Sequence, residues 1–293
     1  MRLPQTESQH QSASGLDTLP DAEILGMLLD GQTRALASLA SSLPEIGAGA
    51  ALMAQTIEAG GRLVYAAAGS SGLMALADAA ELSGTFGLAP GQIVILMAGG
   101  LPVDARMPGI TEDDVADAAH AAAIIRATDL VIALSASGST PYPLTIALVA
   151  RQEGARVICI SNNATARLFA HADVAICAAT PPEVVAGSTR LGAGTAQKAA
   201  LNMMSTLMGI RLGHVHDGLM VNLVADNTKL HARAVDMIMQ IAAVDGGTAR
   251  DCLQRSGGMV KNAVLMAAGA TAERATTLLD DSKGHLRAAL ARL

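Results

Sequence analysis

The chain has 293 residues, 51% of them hydrophobic and 16% charged, with a formal net charge of -6 at pH 7. Two Tyr, two Phe and no Trp leave almost no rings for stacking bases, and the acidic balance argues against tracking a phosphate backbone, so no nucleic-acid partner is expected. Such a length buries a substantial core without staples, and the three cysteines, Cys159, Cys177 and Cys252, odd in number and near apolar segments, read as reduced core residues.

The opening stretch MRLPQTESQHQSASG lacks an apolar run of signal-peptide type, and the later apolar runs read as too short to cross a bilayer. A cytoplasmic, membrane-free protein is therefore expected. Residues 1 to about 20 are polar and are expected to pack on another element or subunit. From Asp21 to Gly60 the pattern is helical, opening at Pro20 and Asp21 and closing at a glycine pair. Five short apolar runs follow, Arg62–Ala68, Gln92–Met97, Asp129–Leu134, Arg156–Ile160 and Val174–Cys177, separated by helical stretches. Repeated strand and helix units of this kind predict an α/β fold, a doubly wound parallel five-stranded sheet covered on both faces. Gly194–Arg211 reads as a long buried helix, HARAVDMIMQIAAV as another, and the tail from Thr248 as three short helices broken at SGG and AAGAT. The expected division is a helical segment over 1–54, a ligand-binding α/β domain over 55–218, a connecting helix over 219–247 and a small helical, UBA-like domain over 248–293.

Three Gly, Ser and Thr rich segments stand out. Ala68-Gly69-Ser70-Ser71-Gly72 and Ser135-Ala136-Ser137-Gly138-Ser139-Thr140 each follow a strand and precede a helix, where open α/β sheets place ligands. Glycine admits an anion to the backbone, hydroxyls donate to it, and the next helix adds free N–H groups and a favourable dipole. The chain has neither GxxxxGK[ST] for a nucleoside triphosphate nor GxGxxG after a first strand for a dinucleotide, so a monophosphate ester is the ligand expected and no cofactor is. The third segment, Gly187–Lys198, gathers Ser188, Arg190, Thr195, Gln197 and Lys198 beside an apolar helix, as a pocket wall would. His214, His216 and Asp217 lie close in sequence, but two histidines and one carboxylate are weak grounds for a metal, and none is expected.

RLVYAAAGSSG, SASGSTPY, AGSTRLGAGTAQKAALNMMST and GLMVNLVADNTKLHAR together resemble successive signature blocks of the N-acetylmuramic acid 6-phosphate etherases, within the sugar-isomerase (SIS) superfamily that also includes the glucokinase regulatory protein. The resemblance covers nearly the whole chain. It implies a flavodoxin-like SIS fold, a phosphorylated amino sugar as substrate, a homodimer, and loss of a lactyl ether by elimination followed by addition of water. It also implies two acid/base carboxyls, Glu81 in ADAAELSGTFG and Glu112 in GITEDD. Glu81 is expected to protonate the departing oxygen and later activate water, and Glu112 to make a second proton transfer such as ring opening. Gly69, Ser70, Ser71, Ser135, Ser137, Gly138, Ser139, Thr140, Ser188, Thr195, Lys198 and His231 are the expected binding residues. Ten residues on one helix separate Ser71 from Glu81, roughly 15 Å, so the site is expected to be shared between subunits, with Lys229 and His231 reaching a neighbour. Several positions depart from the family pattern: Leu73 stands where arginine is common, Ser139 where SGR is typical, Gly192 in a lysine's place, and Glu81 precedes LSG and not CPP. Those losses of cation keep a phosphosugar-binding regulator open as an alternative, and an aldose-ketose isomerase, which would use related proton transfers without loss of a leaving group, is another.

Overall fold

The structure, a computed structural model, describes residues 8–104, 106–223 and 228–293. Residues 1–7 of the polar N-terminal stretch and residues 224–227 of the last signature block lie outside the described residues. The chain divides into two compact units, Met1–Ala80 with Gly91–Ser205, and Glu81–Pro90 with Thr206–Leu293.

The first unit is built on five parallel strands, β1 (Leu63–Ala67), β2 (Ile93–Met97), β3 (Leu130–Ser135), β4 (Arg156–Ser161) and β5 (Val174–Cys177), in the order β2-β1-β3-β4-β5. Central strands of such a sheet are covered on both faces, which requires unbroken apolar runs, and every residue of β1 and β3 is buried. On one face Val64, Ala66, Val131, Ala133, Val157 and Cys159 meet Ala118, Ala122, Tyr142, Ile146 and Ala150, which come from α4 (Val115–Ala122) and α5 (Pro141–Gln152). On the other face lies α2 (Leu43–Glu58), preceded by α1 (Asp21–Ala37) and a 3-10 turn at Ser38–Ser42. A Cβ at Gly49 of α2 would meet the Met204 sulfur at 2.6 Å and Ile158 Cδ1 at 3.4 Å, so the bare glycine lets α2 settle on the sheet. Asp21–Glu58 is long and apolar enough, by length and composition, to cross a membrane, which corrects the expectation that every apolar stretch is too short. Its apolarity has a different cause in this fold, because Ile46, Ala50, Met53 and Ala54 of α2 are core residues.

Two connections differ from a regular strand and helix alternation. Between β4 and β5 there is only a 3-10 turn, Arg167–His171, and β2 is followed by an irregular excursion that ends in the 3-10 turn Gly109–Asp113. Asp114 then caps α4 by accepting the Asp117 N–H at 2.8 Å. Two further helices complete the sheet unit's connections: α3 (Gly69–Phe86) follows β1, and α6 (Gly192–Arg211) follows β5. They are cross-linked at Asp78, which is 2% exposed and accepts from the Tyr65 hydroxyl at 2.9 Å, Asn202 Nδ2 at 2.8 Å and Ser205 Oγ at 2.9 Å.

In the second unit α7 (Thr228–Ala242), α8 (Gly246–Arg255), α9 (Val260–Ala267), α10 (Ala272–Asp281) and α11 (Leu286–Leu290) enclose Met237, Ile238, Leu253, Val264 and Leu278. The tail therefore holds four helices where three are expected from sequence. The additional break follows α10, at Lys283 (φ 49) and Gly284 (φ 76), two successive left-handed residues that no helix can pass through. Cys159, Cys177 and Cys252 are all free thiols, the first and last buried.

Candidate active site

In an open sheet the ligand crevice lies outside the strand carboxyl ends, where the strand order reverses direction. Here that point falls between β1 and β3, which pair from Leu63↔Leu130 to Ala67↔Leu134. The loops leaving these two strands are the first two Gly/Ser segments, side by side at the same edge.

The β3 loop is closely knit. Ser135 Oγ lies 2.8 Å from Thr140 Oγ1 and 3.4 Å from Ser137 Oγ. Ser137 Oγ accepts from both the Ser139 hydroxyl and the Ser139 N–H, each at 3.2 Å, and Ser135 Oγ accepts the Gly138 N–H at 3.0 Å. Four hydroxyls thus form one chain at the mouth of α5, in which Ser137 Oγ accepts twice from Ser139 and adjoins Ser135 Oγ. Gly138 has φ +72, and a Cβ there would overlap that of Ala166 and come within 2.7 Å of Ser161 Oγ. Only glycine closes this turn.

The β1 loop passes directly into α3, with Ser71 buried and Ser70 partly so. Gly69 has φ +52, and a Cβ on it would collide with Glu112 Oε1. The Glu112 carboxyl therefore lies against the first turn of α3, carried there by the excursion after β2, whose Thr111 also packs on Gly99. Burial, reinforced by the neighbouring Asp113 charge, pushes the Glu112 pKa up, so this carboxyl keeps its proton to higher pH than an ordinary glutamate.

The comparisons with known proteins extend this picture. The SIS domain family matches residues 31–162. The N-acetylmuramic acid 6-phosphate etherase of Deinococcus radiodurans is 38% identical over 97% of this chain and 94% of its own length, and that of Streptomyces avermitilis 40% identical over 98% and 93%. The chain belongs to the N-acetylmuramic acid 6-phosphate etherase family. Among solved structures, a phosphoheptose isomerase from Francisella tularensis superposes with a TM-score of 0.51 at 15% identity, covering 66% of this chain and all of the other. A Bacteroides fragilis protein involved in capsule formation does so with a TM-score of 0.54 at 20% identity, over 68% and 95%. These two likenesses concern the fold.

The remaining expected residues of this etherase-family chain are more dispersed. In the third segment the Ser188 N–H donates to the Val185 carbonyl at 2.9 Å, Thr195 Oγ1 donates to Gln32 Oε1 of α1 at 2.9 Å, and Lys198 is exposed on α6. The amides opening α6 are engaged by a residue that sequence reading missed: the buried Glu183 carboxylate accepts from Gly192 N–H at 2.9 Å and Ala193 N–H at 2.8 Å. Its signal in the sequence is slight, a lone carboxylate nine residues before a helix start. Glu81 is exposed and lies about 15 Å along α3 from Ser71. In the second unit, His231 of α7 lines a cavity of about 750 Å³ with Asp236, Arg250 and Gln254. Burial lowers the His214 pKa to about 4, so that ring is neutral at pH 7, while His216 and Arg287 both face Asp217.

Proposed function

We propose that this protein is an N-acetylmuramic acid 6-phosphate etherase, a carbon-oxygen lyase that converts its substrate to N-acetylglucosamine 6-phosphate and D-lactate. Identity of 38–40% along 97–98% of the chain with enzymes of that name is the observation that carries the reading, and the four-hydroxyl chain beside the β1–β3 switch point supports it.

In this reading the phosphate is held by Gly69, Ser70 and Ser71 from one loop and Ser135, Ser137, Gly138, Ser139 and Thr140 from the other, with Ser188, Thr195 and Lys198 as the third wall. The sugar is handled in its open-chain form, and Glu112, poised by its raised pKa, makes the proton transfer that opens the ring. A base removes the C2 proton, which is acid because the resulting carbanion is an enolate of the C1 aldehyde. Glu81 protonates the C3 ether oxygen as that bond breaks, and lactate leaves with a 2,3-double bond left behind. The ionised Glu81 then takes a proton from water as the oxygen adds to C3, and C2 is reprotonated.

The site is shared within a homodimer, because one chain's Glu81 lies far along α3 from its own loops. His231 and Lys229 of one subunit serve the pocket of the other. An exposed stripe on α1, Leu25, Leu29 and Leu36, spaced to fall on one helix face, suits burial against a second copy. The setting is cytoplasmic recycling of peptidoglycan sugars. Incubation with N-acetylmuramic acid 6-phosphate should release D-lactate, and Glu81→Ala should abolish the release. Binding or isomerisation of the sugar phosphate without lactate would overturn the reading in favour of a regulator or an isomerase.

A further inference from the structure

The end of β4 and the two residues after it, Ser161-Asn162-Asn163, face the β3 loop from the side opposite β1. Together with Leu168, this segment takes up three successive carbonyls of that loop. The Asn162 N–H donates to Ala136 O at 3.1 Å, assisted by Ser161 Oγ at 3.2 Å. Asn163 Nδ2 donates to Ser137 O at 3.3 Å, and the Leu168 N–H to Gly138 O at 2.9 Å. In a planar trans peptide the C=O and N–H point in opposite directions. Turning these carbonyls toward β4 therefore keeps their oxygens away from an anion arriving between the β1 and β3 loops, while the Gly138 N–H donates to Ser135 Oγ at 3.0 Å and the Ser139 N–H to Ser137 Oγ at 3.2 Å inside the turn. Two of the three carbonyls are held by backbone amides, whose donors survive most substitutions. The middle one, Ser137 O, is held by a side chain.

From this we infer that Asn163 is a positioning residue for the phosphate cradle, setting the orientation of the Ser137–Gly138 peptide without touching substrate. Its own orientation is fixed from behind. Asn163 Oδ1 accepts the Thr165 N–H at 3.2 Å and the Thr165 hydroxyl at 3.1 Å, which directs the amide nitrogen at Ser137. When that donor is removed, the Ser137–Gly138 peptide is held at its N–H end alone, by Ser135, and its oxygen loses the contact that fixes it away from the cradle. Binding weakens while the reacting end of the sugar is untouched.

The inference rests on the reading of the β3 loop as the phosphate seat, and the test separates the two. Inorganic phosphate and N-acetylmuramic acid 6-phosphate are titrated into the full-length protein and into Asn163→Ala, Asn163→Ser, Thr165→Ala and Ser137→Ala. Both Asn163 variants are expected to raise the phosphate Kd and the substrate KM about 5- to 10-fold, the loss of one hydrogen bond, with kcat within about twofold. Asn163→Ser retains an oxygen for the Thr165 N–H but cannot reach Ser137, so it stays informative should Asn163→Ala fold poorly. Thr165→Ala, which leaves the backbone donor in place, is expected to bind as the parent protein does. Unchanged KM in both Asn163 variants, or a loss confined to kcat, overturns the inference if Ser137→Ala still weakens phosphate binding. If Ser137→Ala also binds phosphate normally, the cradle itself is wrongly located.

Discussion

Gly138 offers the sharpest single test of the β3 loop. An alanine there must hold φ near +72, which costs an L-residue about 1–2 kcal/mol. Its methyl must also displace Ala166, whose Cα would lie 2.8 Å away. Ala166 cannot yield as the tip of a flexible chain could, since it leads into the turn Arg167–His171, and overpacking of this kind costs about 1–3 kcal/mol. The expected penalty is about 2–5 kcal/mol, lowering Tm by about 5–15 °C for a domain of this size. Gly154→Ala is the matched control: φ is +80 and the nearest atom, Ala127 Cβ, is 3.7 Å away, so it bears the conformational strain alone and lies outside the proposed cradle. Thermal melts and steady-state kinetics on both variants are the assay. Gly138→Ala should melt below Gly154→Ala and raise the sugar-phosphate KM by at least about 10-fold, while Gly154→Ala leaves KM alone. Equal melting temperatures, or a parental KM in Gly138→Ala, would refute the claim that this glycine is demanded by a packed binding turn.

Lys261 supplies a pH test of the second unit. Its ammonium donates to Gly213 O at 3.2 Å and Gly284 O at 3.0 Å, and burial pushes its pKa down to about 8. The cost of burying that charge is fully present below pH 8, shrinks as pH rises from 8 toward the unfolded pKa and is absent above it, so stability should rise by about 3 kcal/mol between pH 8 and 10.5. Chemical denaturation of Lys261→Met should show a flat profile across that window; a retained slope would assign it to another group. Asp78→Ala leaves three donors without their acceptor and should cost about 3 kcal/mol or more, read as a Tm drop that Glu81→Ala does not share. For Glu112, whose carboxyl pKa is raised by burial, the pH-rate profile should bend above the ordinary carboxylate range, and Glu112→Gln should remove that bend. Leu25→Asp with Leu29→Asp should dissociate the proposed dimer in sedimentation analysis and remove activity with it.

The sheet was legible because its central strands are apolar on both faces, a pattern without rival over five or six residues. The Arg156–Ile160 run differs from β4 by Ser161 alone. The turns after β1 and β3 were legible for a related reason, since glycine and serine at a strand's carboxyl end mark a tight turn into the next helix. Features made by residues distant in sequence left no such mark. Glu112 meets Gly69 across 43 positions, and Asn163 meets Ser137 across 26. Glu183 was hidden because a carboxylate ahead of a helix usually caps it from the N-cap position, whereas this one reaches the amides of Gly192 and Ala193 from beyond a loop. The additional tail break was hidden because Lys283 adopts φ 49, a conformation that a lysine does not advertise.

Two of the positions at which the family resemblance leads one to expect a cation, Gly192 and Ser139, are occupied by residues with other partners. Gly192 stands in a lysine's place, and a Cβ there would meet Ala35 Cβ at 3.0 Å and Glu183 Oε2 at 3.2 Å. Glu183 needs no lysine, because two helix N-terminal amides and their dipole already balance its charge. Ser139, where an arginine is typical, instead donates its hydroxyl to Ser137. The proposed cradle is then a neutral one of hydroxyls and amides, and short-range donors of that kind are little affected by salt, whereas a Lys or Arg contact is screened over about 10 Å at 0.1 M. The phosphate Kd should therefore change by less than about twofold between 20 and about 200 mM salt. A steep fall in affinity over that range would mean that a cation outside the two loops holds the anion, with Lys198 the first to substitute, and the hydroxyl chain would then be a structural turn beside the true seat.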